Sequence, residues 1–478
     1  MNPRSASPLA VPVALAVALA AAAACSGLHV NLGDDPSAGA SAVQAGGAGA
    51  AVGGMSGLMV DPDPNTVCAP GQKTSVSGTV YDPAGNWPLY NAVVYVPSGT
   101  GALPAFATGV ACEKCSDSVP AKTITLSGSD GKFKLEDVPA GSVDLVVQLG
   151  KWRRKQTISV VPCQDKPLSD GSVRLPRTQR EGDIPKIALS TGHSDALECL
   201  LRKIGIADTE FTTDTGGGRV SMFVGCEGKQ ADRHFGANKF ADGTAFPSTN
   251  QLFDSGTLNQ YDTVIFSCEG HKCDTIQTPE NVAQLVEFAN RGGRVFLDHS
   301  HYNWLNHADA PIESAAQFSS GPDDIQSPLS TKINDQFPKG EAFAYWLKTV
   351  QASTTLGVLD IYAAETSVQS LSPNRSQSWI YRDEDPKGFF YFTINTPVAE
   401  MDDDPAPEAC GRVVFTDLHV SKSGGGDAVD FSDQETPFPE GCTNSVLTPQ
   451  EKALEFMLFD LTSCVQRETS MPMIPPIK

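Results

Sequence analysis

The stretch Leu285–His301, "LVEFANRGGRVFLDHSH", changes period in its middle. Upstream, Thr278-Pro279 supplies a cap and a first-turn proline. Val282, Leu285, Val286 and Ala289 then recur at helical spacing, so a helix is expected through Asn290, ended by Gly292. After the Gly-Gly break, Val295-Phe296-Leu297 is a short apolar run. A run of that length after a glycine break reads as a strand buried on both faces. The strand ends in Asp298-His299-Ser300-His301, a sudden cluster of ionisable groups. A helix feeding a doubly buried strand is the repeating unit of an α/β layer.

The same alternation extends both ways. "PKIALSTG" (Pro185–Gly192) is an apolar strand leading into "HSDALECLLRKIG", where Leu197, Leu200, Leu201 and Ile204 lie on one helical face. Ser194 is the expected cap of that helix and Gly205 its end. "YDTVIFSCEG" (Tyr261–Gly270) and "GRVVFTDLHV" (Gly411–Val420) are further strands. "TPQEKALEFMLFDLTSC" (Thr448–Cys464) is a closing helix with a Thr448/Glu451 capping box. Residues 180–467 are therefore expected to form an α/β domain with a mostly parallel sheet, interrupted by long insertions at 305–345 and 400–445.

"YDTVIFSCEG", "LVEFANRGGRVFLDHSH" and "CGRVVFTDLHVS" together resemble the class I glutamine amidotransferase-like fold, nearest its ThuA-like branch. The family carries a nucleophilic cysteine on a glycine-flanked elbow after the strand equivalent to Val295–Asp298. Here that place reads "FLDHSH", with no cysteine and no flanking glycine. The resemblance therefore implies the fold, and it disfavours glutaminase chemistry. Through the ThuA-like branch it links the chain to sugar-related substrates.

In an open parallel sheet, ligands bind beyond the carboxyl ends of the strands. His193, Glu269, His271, Asp298, His299, His301, Asp417 and His419 all follow strand ends, with Cys268 beside them. Imidazole and carboxylate on one rim are what a zinc or iron site, or an acid/base pair, requires. His271, His299, His301 and His419 are the candidate metal ligands. The same residues could instead hydrogen-bond to loop backbone and hold the rim in shape. "DEDPKG" (Asp383–Gly388) begins like a calcium loop but lacks the later ligands. "TGGGRV" (Thr215–Val220) reads as a turn, and "MDDDPAPE" (Met401–Glu408) as a solvated acidic loop.

Residues 67–175 have a different texture. "SVSGTVYDPAG" (Ser75–Gly85), "PLYNAVVYV" (Pro88–Val96) and "SDGKFKLEDVPAG" (Ser129–Gly141) are short strands separated by turn residues. Val143, Leu145, Val147 and Leu149 alternate at period two. Asp130-Gly131 reads as a hairpin turn. A small β-sandwich is expected. These residues resemble the carboxypeptidase regulatory-like domain, a transthyretin-like sandwich related to carbohydrate-binding folds. That resemblance implies a binding or spacer module. Cys112-Glu-Lys-Cys115 is read as disulfide cysteines, and "KWRRK" (Lys151–Lys155) as a solvated strand end.

The chain has 478 residues, twelve cysteines and a formal charge of -21. Nothing supplies the basic footprint that nucleic acid requires, so that class is excluded. Residues 1–24 carry Arg4 and an apolar run from Leu9 to Ala24, the pattern of a signal peptide. Cys25 follows small residues and resembles the lipid-bearing cysteine of a bacterial lipoprotein. Ser26 then implies the outer membrane, with periplasm or cell surface as the other exported destinations. Residues 25–66, rich in Gly, Ala and Ser, read as a flexible tether. If Cys25 bears lipid, eleven cysteines remain, four in the first folded unit and seven in the second, so at least one thiol stays free.

Two functions are consistent with this reading. One is a non-enzymatic envelope protein whose sandwich binds carbohydrate or another envelope component. The other is a hydrolase or metal-dependent enzyme that works on a sugar-related substrate at the strand-end rim.

Overall fold

The computed structural model describes residues 66–478 except 193, 227–236, 271, 320–324, 326–327, 399–407 and 421–435. The described chain is rich in strands and has few helices. A ten-stranded mixed sheet is its largest element. In spatial order, the strands Phe211–Thr212, Val220–Val224, Ile187–Thr191, Thr263–Phe266, Arg294–Asp298 and Gly411–Thr416 run parallel. Gly388–Thr396, Gln377–Arg382, Leu329–Ile333 and Val358–Ile361 then extend the sheet antiparallel. The central parallel strands are buried along their whole length, as their unbroken apolar runs require. The antiparallel wing qualifies the mostly parallel expectation. Part of the segment taken as an insertion at 305–345 builds it: Leu329–Ile333 is one of its strands, and the helix Pro338–Thr349 packs on it.

Two of the longer helices follow their capping signals. Thr278 accepts a hydrogen bond from Asn281 N and opens Pro279–Asn290. Thr448 and Glu451 form the reciprocal capping box of Pro449–Thr462. The helix after the first parallel strand is shorter than expected: it spans Leu197–Lys203, with Ala196 rather than Ser194 as its cap residue. Ser194 is committed elsewhere: its N donates to Cys268 O at 2.8 Å.

Ahead of this sheet lie a four-stranded and a five-stranded sheet. The first contains Ser75–Tyr81 and Lys132–Leu135; the second contains Val93–Pro97, Ala121–Leu126, Gly141–Leu149, Trp152–Val160 and Gly182–Asp183. The Asp130-Gly131 turn is present, but its two strands pair in different sheets, so it is a crossover between layers rather than a hairpin. "KWRRK" is also not solvated at its start. Trp152 and Arg153 are buried, and Lys151 donates to Ala107 O, Gly109 O and Asp262 Oδ1. Arg153 donates to Pro104 O and Asp183 Oδ2. These cations clamp the 98–119 loop onto the sheet.

Five disulfides join described residues, and Cys268 is the free cysteine among them. Cys68–Cys163, Cys199–Cys442 and Cys226–Cys273 are three of them. Cys112 and Cys115 do not pair together: they bind Cys410 and Cys464, stitching the loop between Val93–Pro97 and Ala121–Leu126 to the later part of the chain. Such a set of bridges persists in oxidising surroundings and marks an exported protein. No helix among the described residues is long and apolar enough to cross a membrane. One apolar core runs from Val76, Val94 and Leu145 through Leu189 and Trp346 to Phe456, so the small sheets and the large sheet share their interior.

Candidate functional site

The parallel strand order reverses between Ile187–Thr191 and Thr263–Phe266, because the chain first adds Val220–Val224 on one side and then continues on the other. Such a switch point leaves a crevice at the carboxyl edge. Asp195 follows the first of these strands and Cys268 the second. The two loops touch: a Cβ at Gly192 would lie 2.3 Å from Cys268 O, so only glycine fits there.

Cys268 is fully buried. Its Sγ lies 2.9 Å from His299 Nε2 and 2.9 Å from Ser300 Oγ, and it accepts from Gly270 N at 3.3 Å. The His299 and His419 rings meet edge to face at 4.4 Å between centroids. His419 Nδ1 donates to Asp195 Oδ2 at 3.0 Å, and Val420 N donates to Asp195 Oδ1 at 2.7 Å. The other ring nitrogen, His419 Nε2, is 3.7 Å from Glu365 Oε1. Gln450 Nε2, on the closing helix, donates to His419 O at 2.6 Å. Ligand atoms of Cys268, His299 and His419 all fall within 4.8 Å of one another, as do those of Asp195, Cys268 and Asp298.

The strand Arg294–Asp298 ends at the aspartate, and His299–His301 forms one tight helical turn. Asp298 caps it, accepting from Ser300 N at 3.0 Å. The turn sends the two histidines apart. His299 faces Cys268, whereas His301 Nδ1 folds back to Asp298 Oδ1 at 2.9 Å and its ring leans on Phe266. His301 is therefore not among the converging ligand atoms.

Two other rim carboxyls are occupied by the frame. Asp417 accepts from Ser367 N and Ser367 Oγ, and burial pushes its carboxyl up to about 7. Glu269 accepts from Cys226 N, and burial pushes it up to about 8. Burial also raises the Cys268 thiol well above its usual range, reinforced by the Asp298 and Asp195 carboxylates. Asp298 is raised by burial against the pull of His301. His193 and His271 lie outside the described residues, as does Cys25.

Among the sequence candidates, then, Asp298, His299 and His419 gather around Cys268. Asp195 and Glu365 complete the group. Asp195 had a signal, since it follows the first strand by only a few residues. Glu365 had none: it lies between two short strands of the antiparallel part, far away in sequence.

No family model matches the chain, and no curated protein matches it. Among solved structures, two type II cohesin–X-dockerin complexes from Acetivibrio cellulolyticus are similar over 30% of this chain and 78% of theirs. Their identities are 17% and 16%, with TM-scores of 0.14 and 0.15. A 9R-lipoxygenase from Cyanothece is similar over 72% of this chain and 42% of its own, at 10% identity and a TM-score of 0.11. Likenesses this weak carry no argument about fold or activity.

Proposed function

We propose that the strand-end cluster is a transition-metal centre of a hydrolytic protein, with Cys268, His299 and His419 as its ligands. The observation that carries this is the convergence of one sulfur and two imidazoles from three different strand ends within 4.8 Å. A thiolate with two imidazoles suits zinc and, among redox metals, copper. Asp195 strengthens the reading. It grips the Nδ1 of His419, as carboxylates do behind metal-binding imidazoles, and so leaves Nε2 to face the centre. Three protein ligands leave a position open for substrate, and an ion there would polarise a carbonyl or phosphoryl oxygen. Glu365 stands near that nitrogen and is placed to take a proton from an attacking water at its Oε1. The amidotransferase-like description of the sheet and the sugar-related substrate class belong to the same proposal.

Elemental analysis of the exported chain tests it. At least one equivalent of zinc or copper per chain is expected, and this first equivalent is lost in Cys268→Ala and His299→Ala. Glu365→Gln should keep the metal while hydrolysis of chromogenic esters, phosphoesters and acylated sugars falls by roughly 10²–10⁴-fold, the usual worth of a general base. A metal-free wild type ends the reading. Full activity in Glu365→Gln removes only the role of that residue.

A lipid anchor at Cys25 and carbohydrate binding by the small sheets also remain proposals. A cavity of about 280 Å³ lined by Tyr95, Phe106, Gln148 and Arg153 is where a glycan would sit. Mass spectrometry of the mature N-terminus and a glycan screen of the whole chain test them.

A further inference from the structure

Cys268 belongs to two overlapping sets of ligand atoms. One is Cys268, His299 and His419; the other is Asp195, Cys268 and Asp298. The second set is buried to the same degree, with Asp195 at 2% exposure and Asp298 at 1%. Asp298 uses Oδ1 for Ser300 N and His301 Nδ1. Its Oδ2 is buried with no hydrogen-bond partner among the described residues. An unpaired carboxylate oxygen in an apolar interior is costly, and a cation is the partner that removes the cost. Asp195 can serve two masters, because each carboxylate oxygen carries more than one lone pair.

We infer that the centre holds two divalent ions bridged by the Cys268 sulfur, the second bound by Asp195 and Asp298. The inference rests on the reading of Cys268, His299 and His419 as metal ligands and adds a distinct site to it. Burial supports it as well: Asp195, Asp298, Glu365 and Cys268 are acidic groups buried in one small volume, and bound cations would stabilise their ionised forms there. The ligand chemistry also divides cleanly. Imidazoles complete the first site, favouring zinc or copper. Carboxylates complete the second, which will accept harder ions such as manganese as well. Paired ions about 3.5–4 Å apart are a known arrangement for hydrolysis of phosphoesters and amides, since each ion can hold one of the two oxygens that change charge.

The test is metal stoichiometry on the full chain, stripped and then titrated with zinc or cobalt(II), followed by elemental analysis after desalting. Two equivalents per chain are expected, entering in two phases with different affinities. Asp298→Asn keeps the hydrogen bond to Ser300 N but weakens the second site, so it should retain one equivalent. Circular dichroism checks that this variant is folded, and the wild-type stoichiometry decides the question without it. One equivalent in the wild type overturns the second site and leaves the first standing. No bound metal overturns both. Two equivalents in wild type and in Asp298→Asn alike overturn the assignment to Asp298.

Discussion

Asp195 is the residue on which the geometry of the cluster most depends. Its carboxylate reaches the loop after Gly411–Thr416 and fixes both the ring of His419 and the backbone of Val420. Asp195→Asn keeps the shape but loses the charge behind the imidazole. It should weaken binding of the first ion, at Cys268, His299 and His419, by about 10–100-fold, as removal of such outer partners does. Competition with a chelator measures this, and unchanged affinity would make Asp195 a purely structural brace. His301 supplies the contrast. Its imidazole faces Asp298 and Phe266 rather than Cys268, so His301→Gln should leave the first equivalent of metal bound while His299→Gln loses it. The sequence placed His299 and His301 side by side. Only the end of the strand at Asp298, set by a side-chain cap, decided that they diverge.

At the scale of elements, the strand Gly411–Thr416 carries two burdens. Its end leads to Asp417 and His419, and its start is anchored by Arg412. That guanidinium is wholly buried between Asp460 Oδ2 at 2.5 Å and Glu468 Oε1 at 2.9 Å, with Lys339 bridging the same two carboxylates from the other side. Arg412→Leu would leave two carboxylates facing one ammonium inside the protein. Breaking a buried ion network this way costs about 3–5 kcal/mol. The denaturation midpoint should fall accordingly, and a change below about 1 kcal/mol would mean that water replaces the guanidinium. The closing helix Pro449–Thr462 links this network to the site, since Gln450 holds His419 O and Asp460 holds Arg412. The helix itself was legible from its capping box. Its role was not, because every partner it fastens lies far away in sequence.

The whole molecule depends on contacts between its small sheets and its large one. Asp82 in the turn after Ser75–Tyr81 meets Glu455 on the closing helix, both at 0% exposure. Burial pushes Asp82 up to about 6, and burial together with Asp82 raises Glu455 well above the usual carboxyl range. Lys452, the nearest cation, opposes the rise of Glu455. Both folded values exceed the unfolded ones, so the pair stabilises the fold fully below about pH 4. That contribution is lost as pH rises through about 6 and beyond. The Asp82 shift alone corresponds to on the order of 2–3 kcal/mol. Urea midpoints between pH 5 and 8 should fall in wild type and flatten in Glu455→Gln; parallel slopes would discard the pair as the cause. The bridges Cys112–Cys410 and Cys115–Cys464 act on the same junction. Replacing either pair by serine should cost about 2–5 kcal/mol, read as a lower midpoint under non-reducing conditions.

The sequence alone determined the local chemistry. Apolar runs bounded by glycine marked the parallel strands, Thr-Pro and Thr-x-x-Glu marked the helix starts, and cysteine number marked an exported chain with a leftover thiol. Those features act over a few residues, or over composition, and need no partner. Tertiary structure decided everything that depends on pairing. It brought Asp195 and Glu365 to His419, sent Cys112 and Cys115 to separate partners, buried Lys151 and Arg153 of "KWRRK" under a loop, and built an antiparallel wing from a supposed insertion. In each case the residues that meet are separated by dozens to hundreds of positions. Burial and hydrogen-bond satisfaction choose among such pairings, and both are properties of the folded interior.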